Sequence, residues 1–276
     1  MGKGKSATDI EKGQIQNIAK ILKCFLSKKG GLEGWYDVKV PELPSCCSEL
    51  KDKIKNTKTL YEKNILLKRE LGKWLRKASD DKKTKIAKWI VDDWGGIALK
   101  DGTPVLNVIL DDIKESAKND FDIRLSDRIS SRSKVLSFLN PKKYAICDSR
   151  VIFSLNWLLF LTRNGNLCCA FQKLEPRNKI LKAYSLSSLL ERHSELGKAQ
   201  TYHLYSEFCD FMKKLTNEIN KSNSDWKLYN TEMLLFAIAD DLEAGIPFLI
   251  RELFISAASL QNINAANVLK IFKPKK

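Results

Sequence analysis

Residues 130–151 read SSRSKVLSFLNPKKYAICDSRV, and this short segment contains two helix starts. Its serine-rich turn predicts a short apolar helix with Lys134 in the first turn. Asn140-Pro141 ends that helix, because proline cannot continue it. Asp148 follows an apolar step and is a favoured N-cap for a second helix, Ser149 to about Leu161. The segment therefore predicts an amine and a carboxylate at two neighbouring helix starts.

Helical periodicity extends over most of the chain, whereas the alternating pattern of strands is almost absent. A capping box at Thr8-Asp-Ile-Glu11 predicts a first helix that stops at Gly30-Gly31. A lysine-rich helical stretch is predicted from Ser48 to about Ala78, and Pro247 is predicted to start a late helix. Only Cys168-Cys-Ala-Phe171 fits a short extended piece. The pattern predicts an all-α fold of about ten helices.

The charge of the chain favours a polyanionic partner. Its 48 Lys and Arg residues exceed its 33 Asp and Glu residues and give a net charge of +15 over 276 residues. Nucleic acid is the first partner that such an excess suggests, and an anionic membrane surface is the second. The alternative is a solvated lysine-rich surface that binds nothing. No apolar run reaches the ~18 residues of a membrane span, so no membrane insertion is predicted.

The cysteines and histidines predict neither a metal site nor a disulfide framework. The seven cysteines are an odd number, none lies in a Cys-x-x-Cys pair, and the sequence begins without a signal-peptide pattern. Only two histidines, His193 and His203, are present to complete a zinc site. We expect reduced thiols, no metal, no cofactor and a cytoplasmic location.

An amine close to a carboxylate suits the removal of a base from deoxyribose. Breaking the glycosidic bond creates oxocarbenium-like charge on the sugar carbon, which a carboxylate stabilises. A lysine amine can also attack that carbon and form a Schiff base, provided that it has lost its proton. A helix start favours both the neutral amine and the ionised carboxylate. The alternatives are structural, since Asp148 is a good N-cap in any protein and Lys134 is one of many lysines.

The same segment resembles the helix-hairpin-helix DNA glycosylases, most closely the lysine-bearing 8-oxoguanine type. Ser133-Lys-Val-Leu136 matches the lysine turn of that family, and Ala145 to Val151 matches its aspartate step. The resemblance implies that Lys134 is the Schiff-base nucleophile. It implies as well that Asp148 orients the reacting groups and stabilises the positive charge on the sugar. It also implies a two-lobed helical fold with a cleft between the lobes, and excision of a damaged or modified base followed by strand scission.

A later helix extends the resemblance to a base pocket. In the family a Gln-x-x-x-Phe helix lines the pocket, and Glu232-Met-Leu-Leu-Phe236 has that spacing, which places both ends on one helix face. Phe236 would stack on an extruded base and Glu232 would bond its pairing edge. Trp94, before Gly95-Gly96, is a third base-binding candidate. The alternative for both aromatic residues is packing in the core.

The hairpin before Lys134 departs from the family pattern. Family hairpins are usually rich in glycine, because backbone amides must approach a phosphate closely, but residues 128–133 contain none. For Lys142 and Lys143 the alternative is solvation, and for Arg150 it is pairing with an acid on the next turn of its helix. The predicted DNA-binding residues are Ser130, Ser131, Arg132, Ser133, Lys142, Lys143 and Arg150.

These observations combine into one prediction with two rivals. Residues 1–7 form a basic tail, and residues 8–276 form one two-lobed unit. Residues 8–100 with about 200–276 make one lobe, and about 101–199 make the hairpin lobe. The predicted protein is a monomeric glycosylase and lyase on double-stranded DNA, nucleoid-associated, or nuclear in a eukaryote. The rivals are a non-catalytic nucleic-acid-binding protein and a helical module that binds an acidic partner.

Overall fold

The computed structural model describes residues 7–99, 104–118, 121–163, 167–175, 179–192, 198–221 and 225–255. Helices dominate this part of the chain, which confirms the predicted all-α class. The α-helices are α1 (Ala7–Lys28), α2 (Ser48–Lys55), α3 (Leu60–Lys77), α4 (Asp80–Trp89), α5 (Pro104–Glu115), α6 (Ile129–Leu139), α7 (Ser149–Leu161), α8 (Lys179–Ala183), α9 (Leu186–Arg192), α10 (Tyr205–Asn220), α11 (Leu228–Ala237) and α12 (Ala239–Ile255). Two short 3₁₀ turns, Leu32–Gly34 and Ser45–Cys47, lie between α1 and α2.

Three predicted boundaries are corrected. The first helix begins at Ala7, so Thr8 is not its N-cap. The stretch from Ser48 to about Ala78 is two helices, because the capping box of Thr59 with Glu62 starts a new one. Pro247 lies inside α12 rather than at its start, since that helix already begins at Ala239. Most of the predicted basic tail, residues 1–6, lies outside the described residues.

Helix α7 occupies the centre of the fold. All eleven residues from Val151 to Leu161 are buried, and α1, α9, α11, α12 and the first strand pack around the helix. A helix that is apolar on every side is stable only when it is surrounded in this way.

No helix of the described residues is long and apolar enough to cross a membrane.

The first of two short strands contains the extended piece predicted at residues 168–171, whereas the second strand and its pairing with the first were not predicted. β1 (Leu167–Phe171) pairs in parallel with β2 (Lys198–Tyr202), with Phe171 opposite Tyr202. Asn156 interrupts the apolar sequence of α7 because its side chain bonds the backbone of Phe171 in both directions, donating at 2.9 Å and accepting at 2.8 Å. Asn156 therefore holds β1 against α7.

Helices α3 and α6 approach each other closely at Gly72. A Cβ atom at this position would lie 2.4 Å from the carbonyl oxygen of Phe138. Arg76, one turn later, donates to the carbonyl oxygen of Leu139 at 2.5 Å. Because no side chain larger than hydrogen fits at Gly72, α3 lies directly against α6 and brings Lys68 to the last turn of that helix, where it contacts Ser137 and Phe138.

Helix α4 ends in a π-helical turn, Ile90–Trp94, followed by Gly95-Gly96. Gly96 has φ +63°, which fits the predicted role of this pair as a helix end. Single π turns are rare and are often found at functional sites. This turn places Trp94 and Gly95 beside α6.

Candidate functional site

Lys134 lies in the second turn of α6, because the helix begins at Ile129 and not at the serines. The predicted first-turn position is therefore wrong. The Lys134 side chain still runs back toward the N-terminus of the helix, as long side chains do. Its Nζ atom donates to the carbonyl oxygen of Ser130 at 3.3 Å. A Cβ atom on Gly95 would lie 2.7 Å from Lys134 Cδ, so this glycine leaves the space that the lysine stem occupies.

Asp148 is the N-cap of α7, as the sequence predicts. Its Oδ1 atom accepts from the backbone nitrogens of Arg150 and Val151, each at 3.0 Å. Its Oδ2 atom lies 3.7 Å from Lys134 Nζ, an ion pair across 14 residues of sequence. One carboxylate oxygen therefore starts a helix, while the other faces the amine.

The hydroxyl group of Ser133 connects α6 to the segment that leads into α7. Ser133 is fully buried, and its Oγ atom accepts from the backbone nitrogen of Cys147 at 3.0 Å. It also lies 3.4 Å from the carbonyl oxygen of Cys147, to which it donates. The residue before Lys134 is thereby bonded to the residue before Asp148, which orients both side chains.

Glu232 is buried and paired with Lys68, a lysine that the sequence analysis did not single out. Glu232 Oε1 lies 2.5 Å from Lys68 Nζ, and its Oε2 atom accepts from the backbone nitrogen of Ile146 at 2.5 Å. Burial raises the pKa of Glu232 and lowers the pKa of Lys68, while the contact between the two acts against both shifts. Since Ile146 belongs to the step before Asp148, Glu232 is joined to the Lys134–Asp148 pair through the backbone.

Three aromatic side chains surround these charges. Trp94 donates from its indole nitrogen to Asn64 Oδ1 at 2.9 Å and packs edge-on against Phe138. Phe236 contacts the edge of Tyr36, with ring centroids 6.2 Å apart, and the Arg150 guanidinium covers it at 4.5 Å. Both predicted base-binding aromatics are only half-buried.

One cavity of about 70 Å³ lies between the charged and aromatic side chains of this region. The predicted catalytic residues Lys134 and Asp148 line it, together with the three predicted base-binding residues. Ligand pockets are usually about 300–1,000 Å³, so this cavity is narrow and must widen to hold a nucleobase. Its lining residues are Tyr36, Val38, Trp94, Gly95, Lys134, Ile146, Asp148, Val151, Glu232, Met233 and Phe236.

The predicted DNA-binding residues are spread over several environments. Ser131 is buried, and Arg132 is held by Asp112, with two contacts of 2.7 and 2.6 Å. Lys143 donates to the carbonyl oxygen of Ser116 at 3.2 Å. Arg150 pairs with Asp240 at 2.6 Å, so its predicted acidic partner comes from α12 rather than from its own helix. Of these four side chains, none is freely exposed.

A larger groove lies on another part of the surface. It has a volume of about 720 Å³ and contains the exposed Lys142, together with Arg69, Lys73, Lys213 and Lys227. It shares no lining residue with the small cavity, so neither Lys134 nor Asp148 belongs to it. The larger groove has more room for a ligand, but the small cavity contains the amine and the carboxylate. We therefore take the small cavity as the candidate site.

The glycine-free hairpin contains one unusual backbone conformation. Arg128, the residue before α6, has φ +53° and ψ +34°, the left-handed region that glycine adopts most easily. It is the only non-glycine residue with positive φ among the described residues. Such conformations cost about 1–2 kcal/mol and concentrate at functional sites. Arg128 thus provides here the turn for which a glycine would be expected.

The buried thiols near the site are not suited to nucleophilic chemistry. Burial raises the pKa of Cys209 to about 12 and raises the pKa of Cys147 well above its ordinary range. Within the described ranges, no three His, Cys, Asp or Glu residues are grouped so that they could hold a metal ion. His193 lies outside those ranges.

Comparison of the chain with protein-family models, with curated proteins and with solved structures found no significant match. The function must therefore be inferred from the residues that line the cavity.

Proposed function

We propose that the protein is a DNA glycosylase with an associated abasic-site lyase activity and a two-lobed helix-hairpin-helix arrangement. One observation carries the proposal. The Lys134 amine lies 3.7 Å from the Asp148 carboxylate, and the residues predicted to bind a base line the same cavity. Four separate parts of the chain contribute these residues, so their convergence is not a consequence of sequence proximity.

In the proposed reaction Lys134 attacks the C1′ carbon of an extruded nucleotide. The nitrogen–carbon bond forms as the glycosidic bond breaks, and the base leaves with the electron pair and takes up a proton. Loss of the amine proton and opening of the sugar give the imine. Removal of a C2′ proton then expels the 3′ phosphate and cuts the strand. Asp148 Oδ2 faces the position where positive charge develops and stabilises it.

Entry of the base requires the cavity to open. At about 70 Å³ the cavity is too narrow for a nucleobase. Phe236 can move into a new position only if its neighbours shift with it, because its ring lies between Tyr36 and Arg150. In the proposed complex the base stacks on Phe236 and occupies space that the closed cavity lacks.

The proposed partner is double-stranded DNA, which a protein monomer binds mainly through contacts with the DNA phosphates. The net charge of +15 supplies the attraction. Binding of this kind weakens steeply with salt, because each phosphate contact releases counterions. A cytoplasmic or nuclear location belongs to the same proposal.

Borohydride trapping tests the chemistry directly. Wild-type protein is mixed with duplexes that contain single damaged bases, including 8-oxoguanine and an abasic site, and the imine is reduced to a stable covalent bond. We expect a trapped complex that Lys134→Gln abolishes. Lys20→Gln is the matched control, since this lysine is exposed on α1 and lines neither the cavity nor the larger groove. It should trap as well as the wild type.

Other results would support one of the alternative functions instead. Base release without trapping indicates a monofunctional glycosylase, for which Asp148→Asn should be the more damaging substitution. Salt-dependent DNA binding that Asp148→Asn leaves unchanged, with no base release, indicates a non-catalytic nucleic-acid-binding protein. No preference for nucleic acid at physiological salt indicates a module for an acidic partner. Each of these outcomes contradicts the lyase proposal.

A further inference from the structure

We infer that a basic track outside the cavity binds a single strand of nucleic acid along its phosphate backbone. The track consists of the larger groove, of about 720 Å³, and a second groove of about 390 Å³. Glu70 and Lys73 line both grooves, so the two meet on α3. No residue that lines the track also lines the cavity, and the inference therefore does not rest on the proposed function.

The track carries positive charge that its own acids do not neutralise. Lys73 pairs with Glu70, donating to both carboxylate oxygens at 2.8 Å. Among the described lining residues only two further acids occur, Glu49 and Asp225. Six cationic side chains of the track are exposed and make no ion pair within the described ranges, namely Lys53, Arg69, Lys77, Lys82, Lys142 and Lys227. Six free cations against two acids call for a ligand with several negative charges.

The cations of the two grooves lie close to one another. The hydrogen bonds from Lys73 lower the pKa of Glu70, and the charges of Lys53 and Arg69 lower it further. Lys53 lines the second groove and Arg69 lines the larger one. Since both act on the same carboxylate, a polyanion that follows the track meets cations on each side of the point where the grooves join.

An aromatic ring in each groove favours nucleic acid over an acidic peptide. Trp74 lines the second groove and Tyr229 lines the larger one, and both side chains are half-buried. Burial raises the pKa of the Tyr229 phenol, whereas the nearby Arg69 guanidinium acts against this rise. A ring beside a cation matches a base that stacks next to its phosphate. A single strand offers its bases for stacking, whereas a duplex encloses them.

The track and the cavity lie at opposite ends of the helices that they share. On α6 the Lys134 amine reaches back to the carbonyl oxygen of Ser130, whereas Lys142 follows the end of the helix. On α11 Tyr229 lies in the first turn and lines the track, while Phe236 lies near the end and lines the cavity. Seven residues of helix separate these two positions by about 10 Å along the axis. A strand in the track therefore leaves the cavity unoccupied.

The salt dependence of binding tests whether the track holds phosphates. The probe is a fluorescent strand of twelve thymidines, which contains no damaged base. A triple variant, Arg69→Gln with Lys142→Gln and Lys227→Gln, removes three of the free cations. Each phosphate contact to a single strand contributes about 0.7 to the slope of log affinity against log salt concentration. The slope should therefore fall by about 2, and the affinity at low salt should fall about tenfold or more.

A second triple variant controls for net charge. Lys12→Gln, Lys20→Gln and Lys58→Gln remove the same charge from exposed positions that do not line the track. This variant should keep the wild-type slope. Equal falls in the two triple variants would overturn the inference, because the total charge of the protein would then account for binding. Failure of the wild type to bind the strand would overturn it as well.

Substitution of the ring tests the choice of a single strand. Tyr229→Leu should weaken binding of the thymidine strand at least fivefold, because stacking of one base is lost. Tyr184→Leu is the matched control, since this tyrosine is also half-buried but does not line the track. Unchanged affinity in Tyr229→Leu would contradict stacking and leave a site for charge alone.

Competition separates the possible occupants. The labelled strand is displaced with unlabelled strand, with the corresponding duplex or with polyglutamate of equal charge. The single strand should compete at a concentration at least tenfold below those of the other two. Equal competition by polyglutamate would overturn the assignment to nucleic acid, and equal competition by the duplex would overturn the assignment to a single strand.

Photo-crosslinking locates the strand on the wild-type protein. A strand with 5-iodouracil bases is irradiated on the protein, and the attached peptides are identified by mass spectrometry. Attachment at Tyr229 or Trp74 is expected. Attachment only at Trp94 or Phe236 would place the strand in the cavity and overturn the inference. Lys134→Gln should give the wild-type pattern, so the result holds whether or not the protein releases bases.

Discussion

Two lysine–carboxylate pairs lie side by side at the cavity, and they differ in how completely the protein encloses them. In the Lys68–Glu232 pair the charged atoms are 2.5 Å apart, and the side chains are 1% and 3% exposed. In the Lys134–Asp148 pair they are 3.7 Å apart, and the side chains are 7% and 12% exposed. Both members of the second pair line the cavity, whereas only Glu232 of the first pair does.

The difference separates a pair that fixes structure from a pair that can react. A buried pair offsets the cost of removing two charges from water only through close contact, so neither partner can leave without a large penalty. The longer contact of Lys134 leaves its amine free to approach another atom in the cavity. The same two types of charge thus support the fold in one pair and, in the proposed function, carry out the chemistry in the other.

Breaking the enclosed pair should have the largest effect. Lys68→Met removes one partner and leaves Glu232 buried without its ammonium, which should cost about 3–5 kcal/mol of unfolding free energy. Lys73→Met, from the exposed pair with Glu70, should cost about 1 kcal/mol or less. Urea unfolding of the two variants measures the difference, and equal losses would show that the enclosed pair is not special.

Gly95→Ala should disturb the open pair through packing. The added Cβ would lie 2.7 Å from the carbonyl oxygens of Ile90 and Val91 and from Lys134 Cδ. We expect a loss of about 1–3 kcal/mol, since backbone atoms cannot move as easily as a side chain. Gly13→Ala is the control, because nothing lies within 4 Å of its Cβ position. It should be neutral or stabilising by thermal unfolding.

Substitutions of Asp148 should separate its two functions. Asp148→Ala loses the bonds to the start of α7 and should cost about 0.5–2 kcal/mol. Asp148→Asn keeps a capping oxygen and should cost less, but it removes the charge that faces Lys134. Thermal unfolding and base release are measured on both variants. A fully active Asp148→Asn protein would leave Asp148 with a capping role only.

The smallest expected effect is a pH dependence of stability from Glu232. Burial raises its pKa above the ordinary value of 4.5, so the folded state binds this proton more tightly than the unfolded chain does. Its contribution to stability is therefore greatest below about pH 4.5 and is lost as the pH rises through the raised value. Relative to Glu232→Gln, the wild type should lose stability over that window.

Sequence reasoning identified much of the candidate site but not its second cation. Lys134, Asp148, Glu232, Phe236 and Trp94 could be selected because helix starts, spacing and a resemblance single them out. Lys68 was missed among the many lysines of the chain. A signal was present, since Lys68 lies between Leu67 and Leu71 on the buried face of α3. A lysine on an apolar stripe requires a buried partner, but the pattern does not say which one.

Local chemistry determined from the sequence alone that α6 ends at Asn140-Pro141, that Asp148 caps α7 and that the chain is mainly helical. These features depend on neighbouring residues, whose spacing the sequence states directly. Tertiary structure alone decided that Glu232 pairs with Lys68, that Gly95 makes room for Lys134 and that Ser133 bonds Cys147. Such contacts depend on how closely helices distant in sequence approach each other, and that distance is set by packing across the whole core.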